Sequence, residues 1–241
     1  MLFLLDVKRA IQCQRTAAAS SIMSSLSTAL ELNGNADDDE DIYEHFLNMK
    51  EDALLSAAED HLACTLIWIK RKFVSVMKND MEGAITVYEL SLDHPFGSRN
   101  VLFKTVPYIT SKFLDGIIAF YSARKNKSEE RKWLAIGMES LRLMKKWRKL
   151  SAWNFESKLL LLEAEHLYQK GSRSALDKYG ASITAARKHH FIHEEGLAYS
   201  KLGHYHLSQG RSTAARESFD QAKRCYSEWG ATSLLKNPKV W

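Results

Sequence analysis

The chain has 241 residues, of which 45% are hydrophobic, and it carries a formal net charge of +5. This length allows one or two domains with a sizeable core. Stretches rich in Ala, Leu, Glu, Lys and Arg favour helix, and no alternating apolar and polar runs indicate strands, so we predict an all-α fold. No stretch approaches the roughly 20 apolar residues of a membrane span, which excludes a predicted transmembrane segment.

The three cysteines of the chain are Cys13, Cys64 and Cys225. Their spacing indicates neither a disulfide framework nor a metal site, and such usage is typical of reduced thiols, so we predict a cytoplasmic protein. The apolar start of the chain ends at Asp6, which is too early for the core of a signal peptide. The mild positive charge is compatible with an acidic partner and does not require one.

Residues 1–41 are predicted to form an N-terminal helix and an acidic loop, ahead of a helical-repeat domain over residues 42–241. Apolar residues from Leu4 to Ala29 recur at helical spacing. The acidic loop resembles a calcium-binding loop only superficially, because Asp38 stands where the turn requires glycine. We therefore expect no metal in this loop.

The middle of the chain predicts a succession of helices separated by polar turns. Helical patterns extend over about residues 42–78, 81–92 and 107–124. Ser128 is predicted to be the N-cap of a further helix over residues 129–150.

One face of the 129–150 helix is basic, whereas Met144 and Trp147 point to its other side. The residues of this basic face are Arg142, Lys145, Lys146 and Lys149. The simpler interpretation is that this basic face is only solvated. The functional interpretation is that it contacts an acidic partner. Nucleic acid is a further alternative, which the lack of aromatic residues between the charges disfavours.

The last third of the chain contains an internal repeat of a helix–turn–helix unit, with helices predicted over residues 193–209 and 212–229. The later copy has its signature residues at Tyr199, Leu202, Gly203, Ala215, Phe219 and Ala222. Forty positions earlier the pattern recurs at Leu159, Leu162, Ala175 and Tyr179. The small residues Gly203 and Ala215 are predicted to lie where two helices approach closely, with aromatic rings around them. This hairpin resembles the tetratricopeptide repeat, with a period of 40 instead of about 34.

Two earlier hairpins fit the repeat pattern less well. Trp68, Ala84 and Tyr88 have equivalent spacings around one turn, and Ala119 and Ala135 have them around another. We therefore predict two clear repeats and two degenerate ones, stacked as an α-solenoid.

The C-terminal part predicts the end of the last repeat helix. Gly230 stands where a left-handed C-terminal cap is expected, and Trp229 is predicted to pack onto the preceding hairpin. Cys225 is interpreted as a small buried apolar residue and not as a nucleophile. Leu234 and Leu235 are expected to leave apolar surface exposed at this end.

A cluster of histidines precedes the later repeat. His189, His190 and His193 lie close to Glu194, but position 197 is Leu197 and does not complete the metalloprotease spacing. We interpret them as surface histidines, with a metal site or a partner contact as alternatives. No nucleophile, acid–base pair or phosphate loop can be assembled, so we predict no enzymatic activity, no cofactor and no metal.

Together these stretches resemble a specific helical-repeat region, the one that follows the AAA-type ATPase module in large multidomain signalling proteins. The resemblance rests on RKWLAIGMESLRLMKKW at 131–147, SKLLLLEAEHLYQKG at 157–171, FIHEEGLAYSKLGHYHLSQGR at 191–211 and SEWGA at 227–231. Proteins of this kind combine kinase-like, ATPase, and histidine-kinase or cyclase domains.

The resemblance implies a non-catalytic protein-interaction or regulatory module, and a detached or truncated part of such a signalling protein. The partner that it implies is a neighbouring ATPase or kinase domain, or another copy of the chain. The alternative is binding of nucleic acid or of an acidic surface through the basic face. No membrane contact is predicted.

Overall fold

The computed structural model describes residues 32, 61–93, 106–237, 240 and 241. Among these residues all regular structure is helical and none is strand, which confirms the predicted all-α class. None of the described helices combines the length and the apolar character needed to cross a membrane. Apart from the buried Leu32, the predicted N-terminal segment and its acidic loop lie outside the described residues.

The described residues contain nine α-helices and one 3₁₀ turn at Lys127–Glu129. In chain order the α-helices are α1 (His61–Met77), α2 (Met81–Asp93), α3 (Val106–Lys125), α4 (Glu130–Arg148), α5 (Ala152–Gln169), α6 (Ala175–Lys188), α7 (Ile192–Ser208), α8 (Ser212–Trp229) and α9 (Thr232–Lys236).

The start of α4 differs from the prediction. Ser128 does not cap this helix, because it lies inside the 3₁₀ turn and its hydroxyl donates to Asn126 Oδ1 at 2.7 Å. The residue before the helix, Glu129, makes no capping hydrogen bond. The polar side chains of this turn therefore form a hydrogen bond with each other and do not cap the backbone of the helix.

The chain divides into two compact units. One comprises Met1–Ser75 and Glu82–Ser111, and the other comprises Val76–Met81 and Lys112–Trp241. In the described part of the first unit, Tyr88 is buried and Lys72 Nζ lies 5.7 Å from the centre of its ring. The features discussed below all belong to the second unit.

Helices that follow one another in the second unit also pack against one another. Helix α5 packs on α6, and α7 packs on α8, while α4 contacts α5 and α6 contacts α7. The turns inside both hairpins contain a glycine with a left-handed φ of +69°, Gly171 and Gly210. Helices α5 and α7 begin at Ala152 and Ile192, so their starts are 40 residues apart, as are the signature residues.

Most signature residues of the repeat face the interior of the second unit. Those less than 10% exposed are Leu159, Leu162, Ala175, Tyr179, Leu202, Ala215, Phe219 and Ala222. Gly203 is also buried, and a Cβ at this position would overlap the ring of Phe219, so only glycine fits the contact without a shift. The equivalent Glu163 instead binds Lys178 Nζ at 2.6 Å, which leaves the two hairpins different at this point.

The predicted hairpin around Ser128 uses different small residues from those expected. Ala119 is fully buried, but Ala135 is exposed and does not contribute to the core. The close contact is made by Gly137, where a Cβ would lie 2.6 Å from the ring of Phe120. The buried stripe of α4 passes through Trp133 and Gly137, which places position 135 on the opposite side.

The end of the repeat is capped and then covered. Gly230 has a φ of +84° and its N–H bonds to the carbonyls of the last turn of α8, as predicted. The ring of Trp229 lies 5.4 Å from that of His193, in the first helix of the same hairpin. The expectation of exposed apolar surface is wrong for Leu234, which is fully buried because α9 turns it inward.

Candidate functional site

A polar pocket of about 250 Å³ lies within the second unit, where residues 76–81 meet α3, α5 and α7. We call it the polar pocket. Its lining residues are Asn79, Tyr121, Arg124, Lys125, Glu165, Tyr168, Lys201 and His204. None of these residues was predicted from the sequence to be functional.

An ion pair between Arg124 and Glu165 forms one side of the polar pocket. Arg124 Nη1 donates to Glu165 Oε2 at 2.8 Å, and the guanidinium lies 4.0 Å from the centre of the Tyr168 ring. The hydroxyl of Tyr179 donates to Glu165 Oε1 at 2.7 Å. Burial alone would raise the pKa of Glu165, but Arg124 and Lys201 outweigh it and lower that pKa. Glu165 is therefore an anion with both oxygens engaged.

Lys201 lies on the other side, and this residue is only 5% exposed. Its Nζ donates to Asn79 Oδ1 at 2.9 Å and lies 3.2 Å from Met81 Sδ. No carboxylate in the described part of the chain is within ion-pair distance of this nitrogen. Burial lowers the pKa of Lys201 to about 8, since desolvation penalises the charged form more than Glu165 favours it.

The side-chain amide of Asn79 connects Lys201 to His204. Its Oδ1 accepts from Lys201, so its Nδ2 is directed to His204 Nε2, 2.9 Å away. The same nitrogen lies 3.1 Å from the carbonyl oxygen of Val240, and this contact requires the opposite tautomer, because a carbonyl oxygen accepts whereas Asn79 Nδ2 donates. Burial lowers the pKa of His204 to about 4, which keeps the ring neutral near pH 7. Asn79 Oδ1 thus serves Lys201, and His204 Nε2 is within hydrogen-bond distance of both Asn79 and Val240.

A second depression, with a volume of about 580 Å³, lies between α6, α7 and α8. It contains the pair Arg187–Glu195, with Nη2 and Oε1 2.8 Å apart. Cys225 also lines it, but this side chain is 8% exposed, and burial, followed by Glu195, raises the pKa of its thiol to about 11. A thiol that stays protonated at neutral pH is a poor nucleophile, in agreement with the interpretation from sequence.

The interpretation of the cluster as surface histidines is wrong for His189 and agrees with the exposure of His190. His189 is buried, and its ring lies 4.2 Å from that of Trp153. His193 is half-buried beside the tilted ring of Trp229, with 37% of its side chain exposed, and burial lowers its pKa. Only His190 is exposed. Among the described residues no group of three or more His, Cys, Asp or Glu side chains is placed to hold a metal ion.

The basic face of α4 is exposed but partly neutralised. Arg142 binds Glu139 through two nitrogens, each at 2.7 Å, and Lys145 Nζ lies 3.8 Å from Glu163 Oε1. The other two members of the face, Lys146 and Lys149, have no carboxylate within ion-pair distance in the described part of the chain. The charge available to a partner is therefore concentrated at the C-terminal end of α4.

Two large apolar side chains are exposed immediately after these lysines, where α4 turns into α5. Leu150 is 79% exposed and Trp153 is 56% exposed. We call Lys146, Lys149, Leu150 and Trp153 the 146–153 patch. The apolar half of the patch was not predicted from the sequence, although two apolar residues in a short turn next to lysines are a signal for it.

Comparisons of the chain with protein-family models, with curated proteins and with solved structures find no match. The functional assignment therefore rests on the geometry of the chain and on the sequence resemblance described above.

Proposed function

We propose that the chain is a non-catalytic protein-interaction module, built from stacked helical hairpins, that binds an acidic protein segment through the 146–153 patch. The observation that carries this proposal is the exposure of Leu150 and Trp153 beside two lysines without a carboxylate partner. Exposed apolar side chains grouped with uncompensated charge are typical of interaction surfaces.

Trp153 has the properties of an interface anchor. More than half of the side chain is exposed, yet its ring lies 4.2 Å from that of His189, the residue that follows α6. A tryptophan already held in place loses little conformational freedom when a partner covers it, and tryptophan is enriched among the residues that dominate binding energy.

The charge of the patch favours an acidic partner. Arg148 belongs to the same turn but is taken up by Glu156, with Nη2 and Oε1 2.7 Å apart. Lys146 and Lys149 therefore provide the uncompensated positive charge next to Leu150. Such charges chiefly steer the encounter and select the partner, while the apolar side chains supply most of the affinity.

The short connection between α4 and α5 makes the patch a fixed surface. The N–H groups of Leu150 and Ser151 both donate to the carbonyl of Trp147, at 2.9 and 3.0 Å. Asn154 Nδ2 donates to Ser151 Oγ at 3.1 Å. The backbone under the patch is thus held by local hydrogen bonds, which favours binding without a large loss of freedom.

The wider setting that we propose follows from the sequence resemblance. The resemblance of the chain to the helical-repeat region that follows ATPase modules supports a regulatory role in signalling. The acidic segment would then come from an ATPase or kinase domain, or from a second copy of the chain. The reduced state expected for its cysteines supports a cytoplasmic location. Nucleic acid is the alternative partner. The patch has only two uncompensated lysines, so it would contact few phosphates.

Selection of random 12-residue peptides on the immobilised full chain tests the proposal. We expect the enriched peptides to combine Asp or Glu with Leu, Phe or Trp, because these residues complement the patch. Enrichment of basic peptides, or of none, would contradict it. A labelled single-stranded DNA probe tests the nucleic-acid alternative. Its binding would weaken steeply as the salt concentration rises, because it depends on phosphate contacts.

A further inference from the structure

We propose that the polar pocket binds the carboxylate group of a small organic acid between Lys201 and Arg124. This site is separate from the 146–153 patch, and it goes beyond the interaction function proposed above.

The charge balance of the polar pocket is the first argument. Arg124 and Lys201 bring two positive charges, and Lys125, an exposed residue, adds a third. Glu165 is the single acidic residue in the lining. Unneutralised charge in a buried site is costly, so a site with this excess is favourable for an anion.

The second argument is that each oxygen of Glu165 already has a direct side-chain partner other than Lys201. One oxygen accepts from Tyr179 and the other from Arg124. Lys201 lies within the electrostatic influence of this carboxylate but is not in contact with it. The existing acid is therefore not the direct partner of Lys201.

Both cations retain donors for a ligand. The ammonium of Lys201 has three N–H groups, and its described contacts are Asn79 Oδ1 and Met81 Sδ, a weak acceptor. Arg124 meets Glu165 through Nη1, and its Nε and Nη2 have no acceptor among the described residues. A carboxylate has two oxygens, and so can accept from both cations at once.

The remaining lining limits the size and shape of the ligand. The rings of Tyr121 and Tyr168 form part of the wall, and they can cover a small apolar body. The volume of about 250 Å³ is below that of sites for drug-sized molecules. Arg124 and Lys201 together carry one positive charge more than Glu165 neutralises. A short organic acid with one carboxylate matches both this excess charge and the volume of the pocket.

Binding should be coupled to a proton on Lys201. In the free protein this amine loses its proton as the pH rises through about 8. An anion in contact stabilises the ammonium and raises that pKa again, so the protein takes up a proton when the acid binds near pH 8.5. Affinity should consequently be lower at pH 9.5 than at pH 7.

Calorimetric titration of the full chain with a panel of small acids tests the proposal. The panel consists of acetate, lactate, benzoate and 4-hydroxyphenylacetate, each paired with its uncharged amide, and inorganic phosphate. We expect at least one carboxylate to bind with 1:1 stoichiometry while its amide does not. Its affinity should fall by at least about tenfold in Lys201→Met, because a hydrogen bond to a charged group is lost.

The control variant is Lys170→Met, which removes an exposed lysine at the end of α5 and should leave the affinity unchanged. Circular dichroism of Lys201→Met establishes that it is folded, and proton uptake in buffers of different ionisation heat gives a second readout on the unmutated chain.

Four outcomes would overturn the proposal. They are no binding by any carboxylate of the panel, equal binding of the amides, binding of phosphate alone, and unchanged affinity in folded Lys201→Met. A short peptide, with a free and with an amidated C-terminus, forms a last arm. Binding of the free peptide but of no small acid would assign the pocket to a protein partner instead.

Discussion

Arg124 and Glu165 are 41 residues apart in the sequence and form a buried ion pair, with Nη1 and Oε2 separated by 2.8 Å. Glu165 is 1% exposed and also accepts a hydrogen bond from Tyr179. This contact joins α3 to α5, and it places the one acid of the polar pocket between Arg124 and the buried Lys201.

The first prediction concerns the two ends of this ion pair. Glu165→Gln removes the ion-pair partner of Arg124 and the negative charge that acts on Lys201 from a distance, and should lower the free energy of unfolding by about 3–5 kcal/mol. Arg124→Met should cost less, since Lys201 and Tyr179 still support the carboxylate. Urea unfolding of both variants measures the difference, and a larger loss in Arg124→Met would contradict this account of the pocket.

A second prediction uses two glycines in helices. Gly203→Ala places a Cβ against the Phe219 ring and should lower the free energy of unfolding by about 1–2 kcal/mol. Gly180→Ala is the matched control, because nothing lies within 4 Å of its Cβ position. That control should gain about 0.5–1 kcal/mol through helix propensity. Equal shifts of the two melting temperatures would refute the close contact of α7 and α8.

The repeat hairpins and the polar pocket differ in how far the sequence predicts them. Small and aromatic residues at a fixed spacing indicate a helical hairpin, so the bounds Ser212–Trp229 and the burial of Ala215 and Phe219 could be predicted. The same periodicity suggested Ala135, which the structure replaces by Gly137. Two small residues two positions apart cannot be ranked without knowing which face of the helix meets its neighbour.

The polar pocket could not be predicted because its residues are far apart in the sequence. The sequence does not distinguish a buried lysine from an exposed one, because Lys201 differs from other lysines only through the residues around it. Likewise, His189 and His193 resemble surface histidines until the rings of Trp153 and Trp229 are placed against them.

A third prediction follows from the lowered pKa of Lys201. Its pKa is about 8 in the folded chain and 10.5 in the unfolded one, so between these values the unfolded state binds more protons. The free energy of unfolding should therefore rise from pH 8 to pH 10.5, by about 3 kcal/mol in total. In Lys201→Met the free energy of unfolding should depend less on pH in this window, and at pH 7 the variant should be no less stable than the parent chain. Identical pH profiles would show that the ammonium is not desolvated.

His204 should give a slope of the same sign at lower pH, because its pKa is about 4 in the folded chain against 6.5 normally. The unfolded state then binds more protons between these values, so stability should fall as the pH drops from 6.5 to 4. Lowered pKa values of His166, His193 and His206 add to the same trend. His204→Gln keeps an acceptor for Asn79 and should lose less stability over this range; an equal or steeper loss would rule out the neutral imidazole.

The most direct test of the central proposal is the affinity of a selected acidic peptide for Trp153→Ala, measured by fluorescence anisotropy. Leu207→Ala is the matched control, because Leu207 is 47% exposed in the same unit but lies away from the patch in the sequence. We predict that Trp153→Ala loses about 2 kcal/mol of binding free energy, or roughly thirtyfold in affinity, and that Leu207→Ala loses none. Equal affinities of Trp153→Ala and the parent chain would contradict a protein-binding role of the 146–153 patch.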